Sequence, residues 1–93
     1  MIYKEIIKNG MEVSFPSDAV ALKVEFYGGN LCLWYEFDPE AAEEGTRRIK
    51  FHVIGTGQDT HTSEWDFLET VFQDSFVWHI FAEEIEDGVG TDD

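Results

Sequence analysis

Basic residues are scarce in this chain of 93 residues, which has 6 lysines and arginines against 20 aspartates and glutamates. A formal net charge of −14 excludes general binding to the phosphate backbone of nucleic acid, because that binding depends on positive charge. Cysteine is almost absent, and the single Cys32 cannot form an internal disulfide, which is typical of a reducing cytosol. No run approaches the roughly 20 apolar residues that a membrane-spanning helix needs. Glu5 stands where a signal peptide carries its apolar segment, so we expect a cytoplasmic protein.

Apolar residues are plentiful by contrast. Hydrophobic residues make up 43% of the sequence and aromatic residues 15%, which excludes a chain that is disordered throughout. The length allows one domain. Residues 83–93 differ from the rest because they hold six acidic residues and only two large apolar ones, Ile85 and Val89. We therefore expect one folded domain over residues 1–82 and a flexible acidic tail over residues 83–93.

Alternation of apolar and polar residues predicts β-strands along most of the domain. The clearest pair flanks Gly28-Gly29-Asn30, whose glycines suit the tight turn of an antiparallel hairpin. Asn9-Gly10 is a strong signal for another hairpin, between the first two strands. The expected strands cover residues 2–8, 11–15, 20–26, 31–37, 49–53 and 76–81.

Two segments admit more than one interpretation. Residues 38–45 predict a loop or a single helical turn that begins at Pro39. Residues 65–72 fit a helix, with Ser63 and Asp66 as a capping box, or a strand; the β-rich residues 76–81 that follow favour a second hairpin and therefore the strand.

The predicted fold is mainly β, with about six short antiparallel strands and at most one short helix. Because strands that neighbour in sequence tend to pair, a meander is one possibility. Aromatic residues at successive positions of a strand, such as Trp34 and Tyr35, point to opposite faces of the sheet. Both faces are therefore expected to pack against other residues. A small barrel, a sandwich or a sheet that forms a homo-oligomer would each provide this packing.

No arrangement of residues predicts catalysis. Nucleophilic catalysis needs a nucleophile with a positioned base, and neither Cys32 nor Ser75 has such a partner in the sequence. We expect Cys32 to be a small, buried or half-buried residue. His52, Asp59, His61 and Glu64 have the chemistry of metal ligands but not the spacing of a zinc site. We therefore expect a non-enzymatic protein without a metal or cofactor.

One candidate site is basic. Arg48, Lys50 and the neighbouring Arg47 are three of only 6 basic residues, and the loop Gly55-Thr56-Gly57 follows them closely. Arginine suits phosphate, and backbone N–H groups of a glycine-rich loop can bind an anion. The ordinary explanation is that these bases pair with nearby carboxylates. The alternative is an oligomeric ligand-binding module that sequesters a nucleotide-like signal, with tryptophans available to stack on a base.

The other candidate site is an acidic run. Its ordinary explanation is solvation and solubility. The functional alternative is a partner-binding surface that imitates nucleic-acid phosphates and occupies a basic surface on another protein. The residues concerned are Glu36, Asp38, Glu40, Glu43 and Glu44.

Several segments together resemble a family of small uncharacterised proteins of bacteriophages and prophages. The pattern lies mainly in residues 48–57 and 70–81. It also includes the opening Ile-Tyr-Lys, residues 31–34 and Asp38-Pro39. Glu69 departs from it, since such proteins usually carry a glycine there. The resemblance covers most of residues 2–82, brings no catalytic residues, and implies a viral accessory protein in the cytoplasm of a bacterial host cell. We therefore expect it to bind and inhibit a host factor, in antiviral defence for example, with no direct contact to nucleic acid or membrane.

Overall fold

The computed structural model describes residues 1–40, 45–58 and 64–85, and within these residues it contains seven β-strands and no helix. The strands in chain order are β1 (Ile2–Ile6), β2 (Glu12–Pro16), β3 (Val20–Tyr27), β4 (Asn30–Glu36), β5 (Thr46–Gly55), β6 (Asp66–Gln73) and β7 (Phe76–Ile85). The predicted mainly β, antiparallel fold is confirmed, with one strand more than the expected six.

The strands form two antiparallel sheets that pack against each other. One sheet has three strands in the order β1-β4-β3, and the other has four in the order β2-β5-β7-β6. The order is that of a sandwich rather than a meander, because β1 and β2 pair with strands distant in sequence. Phe15 of the larger sheet meets Tyr35 of the smaller one at a ring-centroid distance of 4.9 Å. The core between the sheets also contains Val24, Leu33 and Phe51.

Two hairpins, β3–β4 and β6–β7, are each closed by a two-residue turn whose residues suit it. Tyr27 pairs with Asn30, so Gly28 and Gly29 alone connect β3 to β4, with φ values of 60° and 86° that glycine adopts readily. Asp74 and Ser75 connect β6 to β7. These observations confirm the first hairpin and show that residues 66–73 form a strand, the interpretation that the sequence favoured over a helix.

The turn at Asn9-Gly10 does not close a hairpin, and this prediction is wrong. β1 pairs with β4 and β2 pairs with β5, so the two strands lie in different sheets. The Oδ1 atom of Asn9 accepts a hydrogen bond from the Val53 N–H at 2.8 Å, and the Gly10 N–H donates to the Phe51 carbonyl at 2.7 Å. The turn is therefore held against β5 and carries the chain from one sheet to the other.

A β-bulge in β3 changes which residues face the core. Ala21 pairs with Tyr35 and Lys23 pairs with Trp34, so Leu22 is an extra residue without a partner in β4. Beyond a bulge the alternation of inward and outward side chains shifts by one residue. Val24 consequently lies in the core, whereas Val20, which has the same parity in the sequence, is exposed.

The C-terminal strand extends past the predicted domain boundary. β7 ends at Ile85, and Glu83, Glu84 and Ile85 pair with β5, so regular strand pairing continues for three residues past residue 82. These three residues join the sheet despite their two glutamates because β5, at ten residues, is long enough to pair with them. Residues 86–93, the remainder of the predicted tail, lie outside the described residues.

The segment that follows β4 was predicted as a loop or a helical turn. A turn lies at Pro39 and Glu40, and residues 41–44 lie outside the described residues. The Asp38 Oδ1 atom accepts a hydrogen bond from the Glu40 N–H at 3.0 Å, which fixes this turn locally.

Candidate functional site

The outer surface of the three-stranded sheet carries several large apolar side chains and is uncovered in the described part of the chain. Leu33 and Tyr35 point into the core, so the alternate residue Trp34 and its cross-strand neighbours point outward. The side chains of Tyr27, Val20 and Ile2 are 63%, 60% and 58% exposed. We call this surface the Trp34 face; its apolar residues are Ile2, Ile6, Val20, Tyr27 and Trp34, and its charged residues are Lys4, Lys23, Glu25 and Glu36.

The lysines on the Trp34 face are already engaged. The Lys4 ammonium lies 5.1 Å from the centre of the Tyr27 ring, in the geometry of a cation–π contact. The Tyr27 ring in turn meets Trp34 edge-on at a centroid distance of 6.2 Å. Lys23 Nζ lies 3.4 Å from Glu25 Oε1. Lys4 and Lys23 balance Glu25 and Glu36, so the face itself carries no net charge.

Cys32 lies beneath this face and is fully buried, which confirms the predicted burial. Its thiol contacts the Asn30 carbonyl oxygen at 3.6 Å.

Carboxylates gather at one end of the three-stranded sheet. Glu36 ends β4, where it pairs with Ile2 and Val20 of the neighbouring strands. The Asp18 Oδ2 atom accepts a hydrogen bond from the Asp38 N–H at 2.8 Å, which brings the turn before β3 against the segment after β4. None of these carboxylates forms an ion pair within residues 1–40, 45–58 and 64–85. We call this group the acidic end; it comprises Asp18, Glu36, Asp38 and Glu40.

The outer surface of the four-stranded sheet carries the predicted basic strand. Arg48, Lys50 and His52 alternate along β5 and point away from the core residue Phe51. The Arg48 Nη2 atom lies 2.7 Å from Glu12 Oε1 on β2. Arg47 points to the opposite side of the strand, where its Nη2 atom lies 3.2 Å from Glu84 Oε1. The two arginines therefore do not share one site.

His52 is tightly enclosed on this surface. Its ring stacks on Trp65 with a centroid distance of 3.5 Å and an interplanar angle of 5°. Its Nε2 atom lies 2.8 Å from Glu83 Oε1 on β7. The contacts with Trp65 and Glu83 hold the His52 side chain against the surface of the sheet. Asp59 and His61, weighed with it as metal ligands, lie outside the described residues.

The Gly55-Thr56-Gly57 loop is a turn closed by its own hydrogen bonds. The Gln58 N–H donates to the Gly55 carbonyl at 3.1 Å, and the Gln58 side chain accepts from the Gly55 N–H. The Thr56 N–H donates to the Val77 carbonyl at 3.3 Å. Most of the N–H groups that could bind an anion are thus already used.

The hydrogen-bond partners of His79 were not predicted from the sequence. Its two ring nitrogens lie 2.7 Å from the Thr56 hydroxyl and 3.0 Å from the Thr70 hydroxyl. The pairing of Thr70 with His79 follows from the β6–β7 register, which the two-residue turn at Asp74 and Ser75 sets.

A cleft opens between the two sheets beside Arg47. Its volume is about 160 Å³. Inside it, burial raises the pKa of Tyr35 above its ordinary value of 10.0, and the charge of Glu5 and the neighbouring Tyr3 add to the rise. Most of the cleft walls are apolar, and its charged residues stand at the mouth. The lining residues are Phe15, Pro16, Ala19, Ala21, Leu33, Tyr35, Arg47, Ile49, Phe51, Asp66, Leu68, Ala82 and Glu84.

Residues 1–89 match a family model described as a domain of unknown function, DUF7352. The chain belongs to this family. The DUF7352 match includes all seven strands and runs past the predicted boundary at residue 82. No curated protein and no solved structure matches the chain.

Within this DUF7352 domain, the structure brings some of the predicted site residues together and separates others. Glu36, Asp38 and Glu40 lie near one another and are joined by Asp18, which was not among the residues predicted from the sequence. Glu43 and Glu44 lie outside the described residues. No group of three or more histidine, cysteine, aspartate or glutamate residues suited to a metal ion occurs among the described residues. Nor do these residues include a helix able to cross a membrane.

Proposed function

We propose that this protein is a non-enzymatic binding protein whose Trp34 face docks on a basic partner protein. The observation that carries the proposal is the exposure of large apolar side chains on a sheet face that no described residue covers. Contiguous exposed apolar surface commonly marks an interaction site, and tyrosine and tryptophan are enriched in such sites. Tyr27 and Trp34 stand in contact with each other on this face and would form its anchor.

The negative charge of this protein favours a partner with a basic surface. The chain carries a net charge of −14, and the acidic end lies at the border of the Trp34 face because Glu36 belongs to both. A partner with an apolar centre and a basic rim would bury the aromatic residues and meet Asp18, Asp38 and Glu40. A second copy of this chain would instead bring a further −14 to the interface.

We further propose a viral accessory role in which the protein inhibits a host factor in the bacterial cytoplasm, antiviral defence being one such setting. The support is the resemblance of residues 48–57 and 70–81 to bacteriophage and prophage proteins. The acidic end suits a partner whose basic surface normally meets nucleic acid, since both offer closely spaced negative charge.

The ligand-binding alternative has less support from the geometry. Arg47 and Arg48 lie on opposite sides of β5, and each has a carboxylate partner. The N–H groups of Gly55 and Thr56 are bonded within the fold. A nucleotide site would have to break several of these contacts.

The proposal is tested by capturing the partner from bacterial lysate at low salt and then measuring its affinity at two salt concentrations. Affinity should fall steeply with salt, since exposed charges are screened beyond about 8 Å at physiological ionic strength. The association rate should fall more than the dissociation rate rises.

Variants locate the interaction on the acidic end. Replacing Glu36 and Glu40 together by glutamine should weaken binding about two- to tenfold, as loss of two exposed charge pairs. The matched control replaces Glu64 by glutamine and Asp74 by asparagine, an equal charge change on exposed residues outside the acidic end. Binding that is insensitive to salt, or weakened equally by both variants, contradicts the proposal.

A further inference from the structure

The cleft between the sheets is a second binding site, separate from the Trp34 face. We infer that it binds a small organic cation with an apolar body, of the arylalkylamine class. The volume of about 160 Å³ is sufficient for the aromatic ring of one such molecule, whose amine would then lie at the open mouth. For comparison, an apolar cavity of about 150 Å³ accommodates a molecule the size of benzene.

The cleft exists because small residues occupy inward positions at this end of the sandwich. Ala21 pairs with Tyr35, and Ala82 pairs with both Phe51 and Asp66. The aromatic rings of Tyr35 and Phe51 have alanine methyl groups rather than large side chains beside them. Phe15 keeps the sheets apart by meeting Tyr35 of the other sheet at 4.9 Å, and it contacts Phe51 of its own sheet at 6.0 Å. The space between the alanines and these rings therefore remains open.

The walls suit an apolar ring. Leu33, Phe51 and Tyr35 are buried core residues that also line the cleft. An apolar guest would therefore gain contact with side chains that are already fixed in place, and little conformational entropy would be lost by the protein. The faces of Phe15, Tyr35 and Phe51 carry partial negative charge, which attracts a cation near them.

The mouth of the cleft has a net negative charge. Arg47 and Glu84 form an ion pair there at 3.2 Å, with their side chains 42% and 54% exposed, so the cleft reaches solvent at this point. Asp66, the third charged residue of the lining, leaves the mouth with one negative charge in excess. A ligand carboxylate would face two carboxylates and one arginine that is already paired. An ammonium group would complete the charge balance, and the net charge of −14 on the whole chain favours its approach.

The inference is tested with three probes that differ in charge but share a phenyl ring: phenethylamine, the neutral phenethyl alcohol and the anionic phenylpropionate. Each is titrated into isotopically labelled full-length protein while nuclear magnetic resonance shifts are followed. The amine should shift the signals of Leu33, Phe51 and Ala82. It should bind about two- to fivefold more tightly than the alcohol, the range expected of one exposed ionic contact, and phenylpropionate should bind most weakly.

Charge variants separate the site from general attraction to an acidic protein. Asp66→Asn should remove the preference for the amine over the alcohol. The control Asp74→Asn removes the same single negative charge at the β6–β7 turn, which is not part of the cleft lining, and should leave the preference intact. Asn tolerates the positive φ of 54° at that position.

A filled cleft supplies the complementary test. Ala82→Leu should abolish the binding of all three probes, and Ala21→Leu offers the same obstruction from the other sheet if the first variant does not fold. The inference is overturned if phenylpropionate binds as tightly as the amine, if the shifts occur away from the cleft, or if no shift of Leu33 or Phe51 is seen up to the solubility limit of the amine.

Discussion

Leu22 and Leu33 are identical side chains in adjacent strands with opposite environments. Leu33 is 3% exposed in the core, whereas Leu22, the bulge residue, is 48% exposed. Leu33→Ala should lower the free energy of unfolding by about 2–5 kcal/mol through lost burial and a new cavity. Leu22→Ala should change it by about 0.5 kcal/mol or less, as for most exposed positions. Urea unfolding of the two variants gives both values, and equal losses would contradict the bulge.

Tyr35 makes stability depend on alkaline pH. Burial raises its pKa in the folded state above the ordinary 10.0 of the unfolded chain. Well below pH 10.0 the phenol is protonated in both states and contributes no pH dependence. As the pH rises from there through the folded pKa, the unfolded chain loses its proton first, so stability falls.

The measurement is thermal unfolding of the protein and of Tyr35→Phe between neutral and alkaline pH. The difference between their free energies of unfolding should be constant at neutral pH and should shift in favour of Tyr35→Phe above about pH 10. Tyr27→Phe, which alters an exposed tyrosine, is the control. A constant difference across the whole range would show that Tyr35 ionises equally well in both states.

At the scale of the strand, the sequence predicts what is decided locally. The turn at Gly28-Gly29 and the alternation around it are contained in one short segment, and the hairpin was predicted correctly. Asn9-Gly10 carries an equally strong local signal, but the partners of the flanking strands are β4 and β5, which come much later in the chain. A turn signal specifies a change of direction and not the strand that pairs with it. The bulge at Leu22 is likewise invisible, because Val20, Leu22 and Val24 keep their alternation in the sequence.

The end of β7 gives a prediction for this scale. Truncation after residue 82 removes Glu83, which bonds His52, and Glu84, which pairs with Arg47. It should lower the free energy of unfolding by about 1–3 kcal/mol relative to truncation after residue 85, because these side-chain bonds disappear together with the backbone hydrogen bonds to β5. Denaturant unfolding of both truncated proteins measures the difference. Equal stability would show that the last three residues of β7 add nothing to the sheet.

At the scale of the whole molecule, the candidate sites were only partly predictable. The acidic composition indicated a basic partner, and Glu36, Asp38 and Glu40 do lie together. The Trp34 face was not predicted as a site. Apolar residues on both faces of a strand indicate only that both faces should be buried, and they do not indicate which face binds a partner. The cleft was not predicted either, since it depends on which alanines meet which rings across two sheets.

The charge of the molecule also leads to a prediction about its oligomeric state. With a net charge of −14, the protein should remain a monomer at low ionic strength although the Trp34 face is uncovered. Analytical ultracentrifugation at low and high salt measures this. A stable dimer at low salt that Tyr27→Ser abolishes would show that a second copy occupies the face, in place of a basic partner.

Site-specific photo-crosslinking in bacterial cytoplasm tests the central claim most directly. A photoreactive phenylalanine analogue at position 27 stands on the Trp34 face, and the same analogue at position 72 stands on the four-stranded sheet, where Phe72 is 70% exposed. We expect one basic protein, identified by mass spectrometry, to be crosslinked from position 27 and not from position 72. Crosslinks from position 72 alone, crosslinks only to a second copy of this chain, or none from position 27 would contradict the account.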